Sequence, residues 1–540
     1  MSDSLYRKVL QDRQDLFNQS VADGIYTPFI YPWDTWPVLV LLLGVAFTPR
    51  LSTNIARISR YALAISSLWY CILRWPYVRT CGLTSGYGIG LAAFWGYIMT
   101  IVLMVLHDPG KDFSRIEVRK TTEAKPNGND HSGVSSAISQ NGSAQKRVDG
   151  KQDNASMDTS QPKGGEALVW QGYPMGNDLW YLLDWVIDLC ISFRGINWNW
   201  RIPIKTYTVT PPEGDPPVLS REAQQSHEGD LKRLQRMSIL NFFYYWVLLD
   251  LFKTTLMTDP YFLGIAPLDA PTTWPWLAQL SDVLPGTIAI KFVRLSLSIA
   301  SVVSALTFIF SLNSLFFGTI VPYFAGDKLY SITKAPLLEV WMYPPQWGNM
   351  LETLCNKGLA GMWATWWHQM FRYGISEPAR LLTKKLNISP RGQIARVIQM
   401  LVAFGLTASI HAVASSTTFS LIPSKPWNPF TFFMSQAIGI LVQTDVSRRL
   451  NKLVEFPKVV RQSANFVFAF TFLWYTGPLL SDDFARCQIW LFEPVPVSIF
   501  RGLGFGPGDC WVPWLQFADG ARWLGVYRGK HWYTTGLGVY

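Results

Sequence analysis

An all-α, polytopic integral membrane protein is the fold class that this chain of 540 residues predicts, and three observations predict it. Hydrophobic residues make up 49% of the chain and charged residues only 16%, against about 25% charged in an average soluble domain. Aromatic residues reach 15%, with 25 Trp, 22 Tyr and 32 Phe. The third observation is length: runs without Asp, Glu, Lys, Arg or His recur that approach the roughly 20 residues a helix needs to cross a hydrocarbon core of about 30 Å.

Five such runs are 80–106, 295–326, 397–424 interrupted only by His411, 426–444 and 462–481. Weaker candidates are 30–49 with Asp34 inside, 61–73 between Arg60 and Arg74, and 237–249 ending at Asp250. Together they predict about eight transmembrane helices, within a range of roughly six to ten. The N-terminus, MSDSLYRKVLQDRQDLF, is charged where a cleavable signal peptide is apolar, so internal segments must direct insertion.

Five regions follow. A polar N-terminal segment covers 1–29, and the first membrane helices cover 30–107. A loop over 108–175 has no aromatic residue between Phe113 and Trp170, which predicts disorder because it offers no apolar surface to offset ordering entropy. The membrane core spans 176–480, interrupted by a Pro-rich connector at 205–230, and a Trp/Gly-rich segment covers 481–540. No internal repeat of the kind that marks duplicated transporter halves is visible.

The net charge of +10 and pI of about 9.2 are spread between apolar runs, which suits anionic lipid headgroups and not nucleic acid. Arg50, Arg57 and Arg60 follow the first weak span and further cations follow the third, so the first and third loops are expected on the cytosolic side and the N-terminus in the lumen. The six cysteines lie far apart and the six histidines lack metal-ligand spacing, so neither a disulfide framework nor a metal site is predicted.

His411 is the most informative residue. Fourteen uncharged residues separate it from Arg396 and thirteen from Lys425, so a helix through this run places it near the bilayer midplane. Ionisable groups there usually face a cavity or a bundle interior, and a neutral imidazole is the form a general base needs. The bland reading is a core histidine hydrogen-bonded to Ser415, one turn on. Residues 361–374, GMWATWWHQMFRYG, predict one helix with Trp363, Trp366, Trp367, Met370 and Tyr373 on an apolar face and Thr365, His368 and Arg372 on another. It reads either as an interfacial aromatic belt or as a ligand-facing helix. In FRGINWNWRIP, 193–203, Arg194 suits a phosphate-facing turn or a headgroup anchor; the preceding helix carries Asp184 and Asp188 one turn apart. The glycines of 502–510, GLGFGPGDC, predict a turn, because the Lys-Ser/Thr of a phosphate loop does not follow.

Four of these motifs, RGINWNW (194–200), MYPPQWG (342–348), MWATWWHQ (362–369) and SIHAVAS (409–415), resemble in order the wax-synthase-like branch of the membrane-bound O-acyltransferase superfamily, especially fungal acetyltransferases of terpenoid and meroterpenoid biosynthesis. The resemblance covers about 170–415. It implies an intramembrane catalytic cavity, His368 and His411 as catalytic residues, and Gln369, Arg372, Arg194 and Trp367 as substrate-binding residues. No permanently bound cofactor is implied, and no metal. Acetyl-CoA, or another acyl-CoA, is the implied co-substrate, with a lipophilic alcohol as acceptor and the endoplasmic reticulum membrane as location. At Ala364, Thr365 and Trp366 the sequence departs from the Gly and two basic residues usual in the family, and SIHA lacks the glycine often found before the histidine. Two rival readings are a long-chain acyl-CoA:alcohol or sterol ester synthase and a transporter or channel using His411 as proton relay. A scaffold without activity and a homo-oligomer are also compatible with the sequence.

Overall fold

The computed structural model describes residues 2–81, 86–120, 166–202, 221–283, 287–367, 369–390, 392–508, 510–515, 524–529 and 531–539. Most of the 108–175 loop and the 205–220 part of the second connector lie outside them. Sixteen helices are described: α1 Ser2–Ala22, α2 Trp36–Phe47, α3 Thr53–Arg74, α4 Gly86–Thr100, α5 Leu179–Ile191, α6 Arg221–Leu256, α7 Pro275–Val283, α8 Ile288–Leu315, α9 Val321–Ala325, α10 Leu329–Ile332, α11 Met350–Gly361, α12 Arg372–Lys385, α13 Gln393–Thr417, α14 Trp427–Leu453, α15 Lys458–Arg486 and α16 Ile499–Gly502. Among the described residues three helical runs, Gly86–Leu106, Ile288–Ile332 and Gln393–Thr417, are long and apolar enough to cross a membrane by length and composition.

The all-α expectation needs a correction. Strands β1 Thr27–Tyr31, β2 Val78–Arg79, β5 Leu524–Tyr527 and β6 Gly536–Val539 form one sheet in the order β2-β1-β6-β5. β1 runs parallel to β2 and antiparallel to β6, with Ile30 opposite Gly538, so the two ends of the chain are tied together. The 30–49 segment is correspondingly not one span: β1 occupies its start and α2 is only 12 residues long. Asp34 explains the division, because its buried carboxylate accepts from the Ile30 amide at 2.7 Å, from Arg74 at 3.1 Å and from the Tyr70 hydroxyl. A carboxylate held by that many donors belongs at a helix end, not in hydrocarbon. The N-terminal polar segment is likewise a helix, with Tyr6, Val9 and Phe17 buried.

The 108–175 segment also departs from disorder at both edges. Strands β3 Arg115–Lys120 and β4 Glu166–Gln171 pair antiparallel with Arg115 opposite Gln171. Arg115 is fully buried and donates to Glu117 at 2.8 Å, to Asp188 at 3.2 Å and to Asp184. Asp188 in turn accepts from Asn197 of the RGINWNW motif at 3.0 Å, and the Ile116 amide donates to the Asn197 carbonyl at 2.7 Å. Removing a partner from such a buried charge network is far costlier than the network is stabilising, so these strands fix the motif. Burial pushes the Asp188 carboxyl above its ordinary range, although Arg115 and Asn197 oppose the shift.

α13 packs between α4, α12 and α14. Its crossing with α4 is close because Gly86 and Gly90 face it: a Cβ on Gly90 would lie 2.2 Å from Thr417 Oγ1 and 2.7 Å from Ala414 Cα, whereas one on Gly88 would meet nothing within 4 Å. Gly90→Val should therefore destabilise the fold by about 1–3 kcal/mol through overpacking, and Gly88→Ala should be close to neutral. Thermal midpoints of the two variants in detergent check this; equal midpoints would mean that the crossing is not tight.

Candidate active site

The MWATWWHQ region is not the continuous helix its periodicity predicts. α11 kinks at Gly358, where φ is 58° and the Gln443 side chain occupies the space a Cβ would need. Residues Met362–Trp366 then widen into a π-helical turn, and Trp367, with ψ 147°, ends it. α12 begins only at Arg372, so Arg372 lies across a break from Thr365 and the two do not share one helical face. His368 lies outside the described residues. π-turns of this kind recur at functional sites.

The break leaves carbonyls without intrahelical partners, and Gln369 supplies them. Its amide donates to the Trp367 carbonyl at 2.6 Å and more weakly to that of Trp363 at 3.4 Å, while its carbonyl accepts from Arg372 at 3.0 Å. Gln369 and Arg372 thus form a brace within the chain. Trp367 stands in an aromatic cluster with Trp347, Trp363 and Trp366, ring centroids 5.3–5.6 Å away. Arg194 is elsewhere: it donates to the carbonyls of Pro344 at 2.6 Å and Pro345 at 2.8 Å. The first two motifs are thereby pinned together. Trp200 of the first motif stacks on Tyr373 at 4.2 Å, which brings it to α12 as well.

His411 is half-buried on α13. Its Nδ1 lies 2.9 Å from the carbonyl oxygen of Thr407, one turn back, so the hydrogen bond runs opposite to the expected contact with Ser415. Ser415 instead donates to Asp483 at 3.0 Å. A carbonyl oxygen can only accept, which assigns the ring proton to Nδ1 and leaves Nε2 as the basic nitrogen. Among the described residues Nε2 has no hydrogen-bond partner. The ring packs 4.2 Å from Phe433 of α14 and 6.4 Å from Tyr87 of α4.

Two neighbours of the site were not legible in the sequence. Tyr87 is buried, and among the described residues its hydroxyl has no hydrogen-bond partner. Phe433 touches His411 on one side and Trp363 on the other, centroids 5.8 Å apart, so the last two motifs meet across a single phenyl ring. Trp363 also donates to Gln436, one turn along α14, at 3.3 Å. Tyr87 lies inside the apolar run 80–106, where only its position one turn from Gly90 would have marked it.

Residues 343–435 match the Membrane bound O-acyl transferase family. That stretch contains MWATWWHQ, Arg372, His411 and Phe433. Similar curated proteins are the acetyltransferase ataH of Aspergillus terreus, 23% identical over 163 residues (29% of this chain, 52% of ataH); the acetyltransferase eriL of Hericium erinaceus, 24% over 340 residues (62% and 75%); and the acetyltransferase aurG of Calcarisporium arbuscula, 25% over 188 residues (32% and 44%). The chain spans about half the length of ataH and aurG. No solved structure matches.

α12 is anchored to a residue outside the matched stretch through its own Glu377, which accepts from Arg380 at 2.7 Å and pairs with His107, just beyond α4, at 2.9 Å. Burial opposes its ionisation, but hydrogen bonds from Arg380 and His107 outweigh it and hold the carboxyl at about 2 instead of 4.5. Because the folded value is depressed, this contact stabilises the protein above pH 4.5 and is lost as pH falls from there toward 2. Glu377→Gln should lower the thermal midpoint at pH 7, and the gap to wild type should narrow steadily below pH 4.5. A gap independent of pH would show that packing, not the charge, anchors α12.

Proposed function

We propose that this protein is an O-acyltransferase that transfers an acyl group, most suitably acetyl, from acyl-CoA to the hydroxyl of a lipophilic secondary metabolite of terpenoid or meroterpenoid type. One observation carries the reading: within the stretch that matches the O-acyl transferase family, an apolar helix holds a histidine whose Nδ1 is committed to a carbonyl and whose Nε2 is left basic. The acetyltransferase relatives support the acetyl donor, and the apolar surroundings of His411 suit a greasy acceptor.

The chemistry follows from that tautomer. Nε2 of His411 takes the acceptor's hydroxyl proton as its oxygen attacks the thioester carbonyl carbon, giving a tetrahedral oxyanion. On collapse the C–S bond breaks, the imidazolium returns its proton to the CoA sulfur, and ester and CoA leave with His411 neutral again. His368 is assigned a supporting catalytic role, orienting the donor or stabilising the oxyanion. Gln369 and Arg372 brace the turn at the Trp367 carbonyl. For the oxyanion the buried Tyr87 hydroxyl is a further donor, since Gln369 already spends its amide protons on carbonyls. A preorganised donor in a site poor in water strongly favours developing negative charge. Arg194 and Trp367 hold the loop and aromatic wall beside the site.

His411→Ala should lower the transfer rate by about 10²–10⁴, as loss of a general base commonly does, without loss of membrane-inserted protein. The assay is microsomes carrying the protein, labelled acetyl-CoA or palmitoyl-CoA, and a panel of terpenoid, polyketide and sterol alcohols. More than a tenth of wild-type rate at saturating acetyl-CoA would sink the base assignment, and palmitoyl esters alone would favour the long-chain reading. In the same assay Tyr87→Phe should reduce kcat by about 10²–10³ if it serves the oxyanion, with KM for acetyl-CoA little changed. His368→Ala should lower kcat per mole of folded protein; full specific activity would make that histidine structural.

A further inference from the structure

The strongest unassigned feature lies at the far end of α14 and α15 from His411. A cavity of about 660 Å³ opens where α11, α14 and α15 come together, and Lys357, Arg448, Lys458 and Arg461 line it without any Asp or Glu. Among the described residues none of the four cations has an ion-pair partner. The nearest carboxylate on α14, that of Asp445, is taken by Arg449 at 2.8 Å, and Arg449 does not line the cavity. Four unpaired cations held in one concavity repel one another unless an anion joins them.

The wall behind them is tied together by side-chain hydrogen bonds. Gln462 donates to Asn356 at 2.7 Å, Asn465 to the Cys355 carbonyl at 2.9 Å and Gln443 to Asn465 at 3.0 Å, while Gln443 accepts from the Leu359 amide at 2.9 Å. The kink at Gly358 is therefore the same feature that shapes this cavity and bends α11 toward MWATWWHQ. Arginine forks and lysine ammonium groups on a fixed polar wall suit phosphate oxygens.

A second cavity, about 560 Å³, shares Ala464 with the first and continues along α15 past Val467, Phe468, Thr471, Phe472 and Tyr475. Its lining is almost wholly apolar, and Val467 and Tyr475 are 59% and 73% exposed, so the groove opens on the outer surface of the helices. Toward His411 the two helices are closed on each other. Gln443 bonds Asn465, the Phe472 ring packs against Gly439 where a Cβ would lie 2.6 Å from it, and Gln436 bonds Thr476 at 3.1 Å. Along α14 the distance from Phe433, beside His411, to Arg448 is about 22 Å at 1.5 Å per residue.

We infer that the joined cavities seat an anionic membrane phospholipid, with its phosphate among Lys357, Arg448, Lys458 and Arg461 and an acyl chain along α15. A basic head joined to an outward apolar groove matches an amphiphile better than a free anion, and the closed α14–α15 seam separates it from the reacting centre. This site stands independently of the acyl-transfer reading.

The test uses the full-length protein in detergent, titrated with dioctanoyl phosphatidic acid or dioctanoyl phosphatidylcholine and followed by thermophoresis. Wild type should bind phosphatidic acid at least tenfold more tightly than phosphatidylcholine. Arg448→Gln/Arg461→Gln should abolish that preference, and Arg448→Lys/Arg461→Lys should keep most of it with the same thermal midpoint. The Gln pair should leave the KM for acetyl-CoA unchanged. Equal binding of the two lipids by wild type, or retention of the preference by the Gln pair, would overturn the site. Complete displacement by inorganic phosphate at equal concentration would reduce it to an anion site without a lipid. Displacement by CoA together with a raised KM in the Gln pair would assign the cations to the donor. Because binding is the readout, an inactive wild type would refute the acyl-transfer reading and leave this result standing.

Discussion

Everything at the candidate site depends on how an apolar helix accommodates one imidazole. His411 lies within a run with no charged residue from 397 to 424, where an unsatisfied polar group is expensive. The Thr407 carbonyl solves half of that problem by taking the Nδ1 proton. The other half is left open: one nitrogen is fixed by its hydrogen bond and the other keeps its lone pair. Ser415, the hydroxyl nearest in helical register on the C-terminal side, does not intervene because Asp483 holds it.

The surroundings of that ring are set by close backbone approach and not by hydrogen bonds. Gly86 and Gly90 let α4 press on Ala414 and Thr417, and the Thr417 hydroxyl donates to the Gly86 carbonyl at 2.9 Å. Small residues at helix crossings supply packing where lipid removes the usual hydrophobic drive. The consequence is positional: Tyr87 follows Gly86 directly and is carried to the flank of His411. On the opposite flank Phe433 separates His411 from Trp363, so the third and fourth motifs are neighbours although Gln369 and His411 are 42 positions apart.

The helical character, the three most apolar spans and His411 were legible because each is a local property, a run of residues or a charge within one. The break at 362–371 was not. The aromatic spacing of 361–374 fits a helix equally well, and what bends the chain is Gln443, 85 residues beyond Gly358, together with the Gln369 brace. The strands at the edges of the 108–175 segment were hidden for the same reason. RIEVRK looks like a solvated charged strip until Asp184 and Asp188 are known to face it, and the partners lie on a helix some seventy residues away. The sheet joining the chain ends rests on pairing between residues about 500 positions apart, which no window along the sequence contains. Within 502–510 the turn reading agrees with the positive φ of Gly504, Gly506 and Gly508, a backbone property that glycine itself announces.

The first three motifs are held by polar joints. Arg115 reaches from β3 to Asp184 and Asp188, Asp188 holds Asn197, Arg194 holds Pro344 and Pro345, and Gln369 holds Trp367 and Arg372. Buried charges and side-chain braces of this kind stabilise a fold little in net terms, because desolvation offsets most of their attraction. Their value here is positional, since each fixes a backbone turn that aromatic packing alone would leave free to choose among similar arrangements. Aromatic contacts then fill the space: Trp200 on Tyr373, Trp347 beside Trp366 and Trp367, Trp363 on Phe433. Such rings tolerate several packings of nearly equal energy, whereas an arginine fork on two proline carbonyls tolerates one. The order of construction is therefore polar joint first and aromatic wall second, and Arg194 acts on the second motif through the two carbonyls it holds.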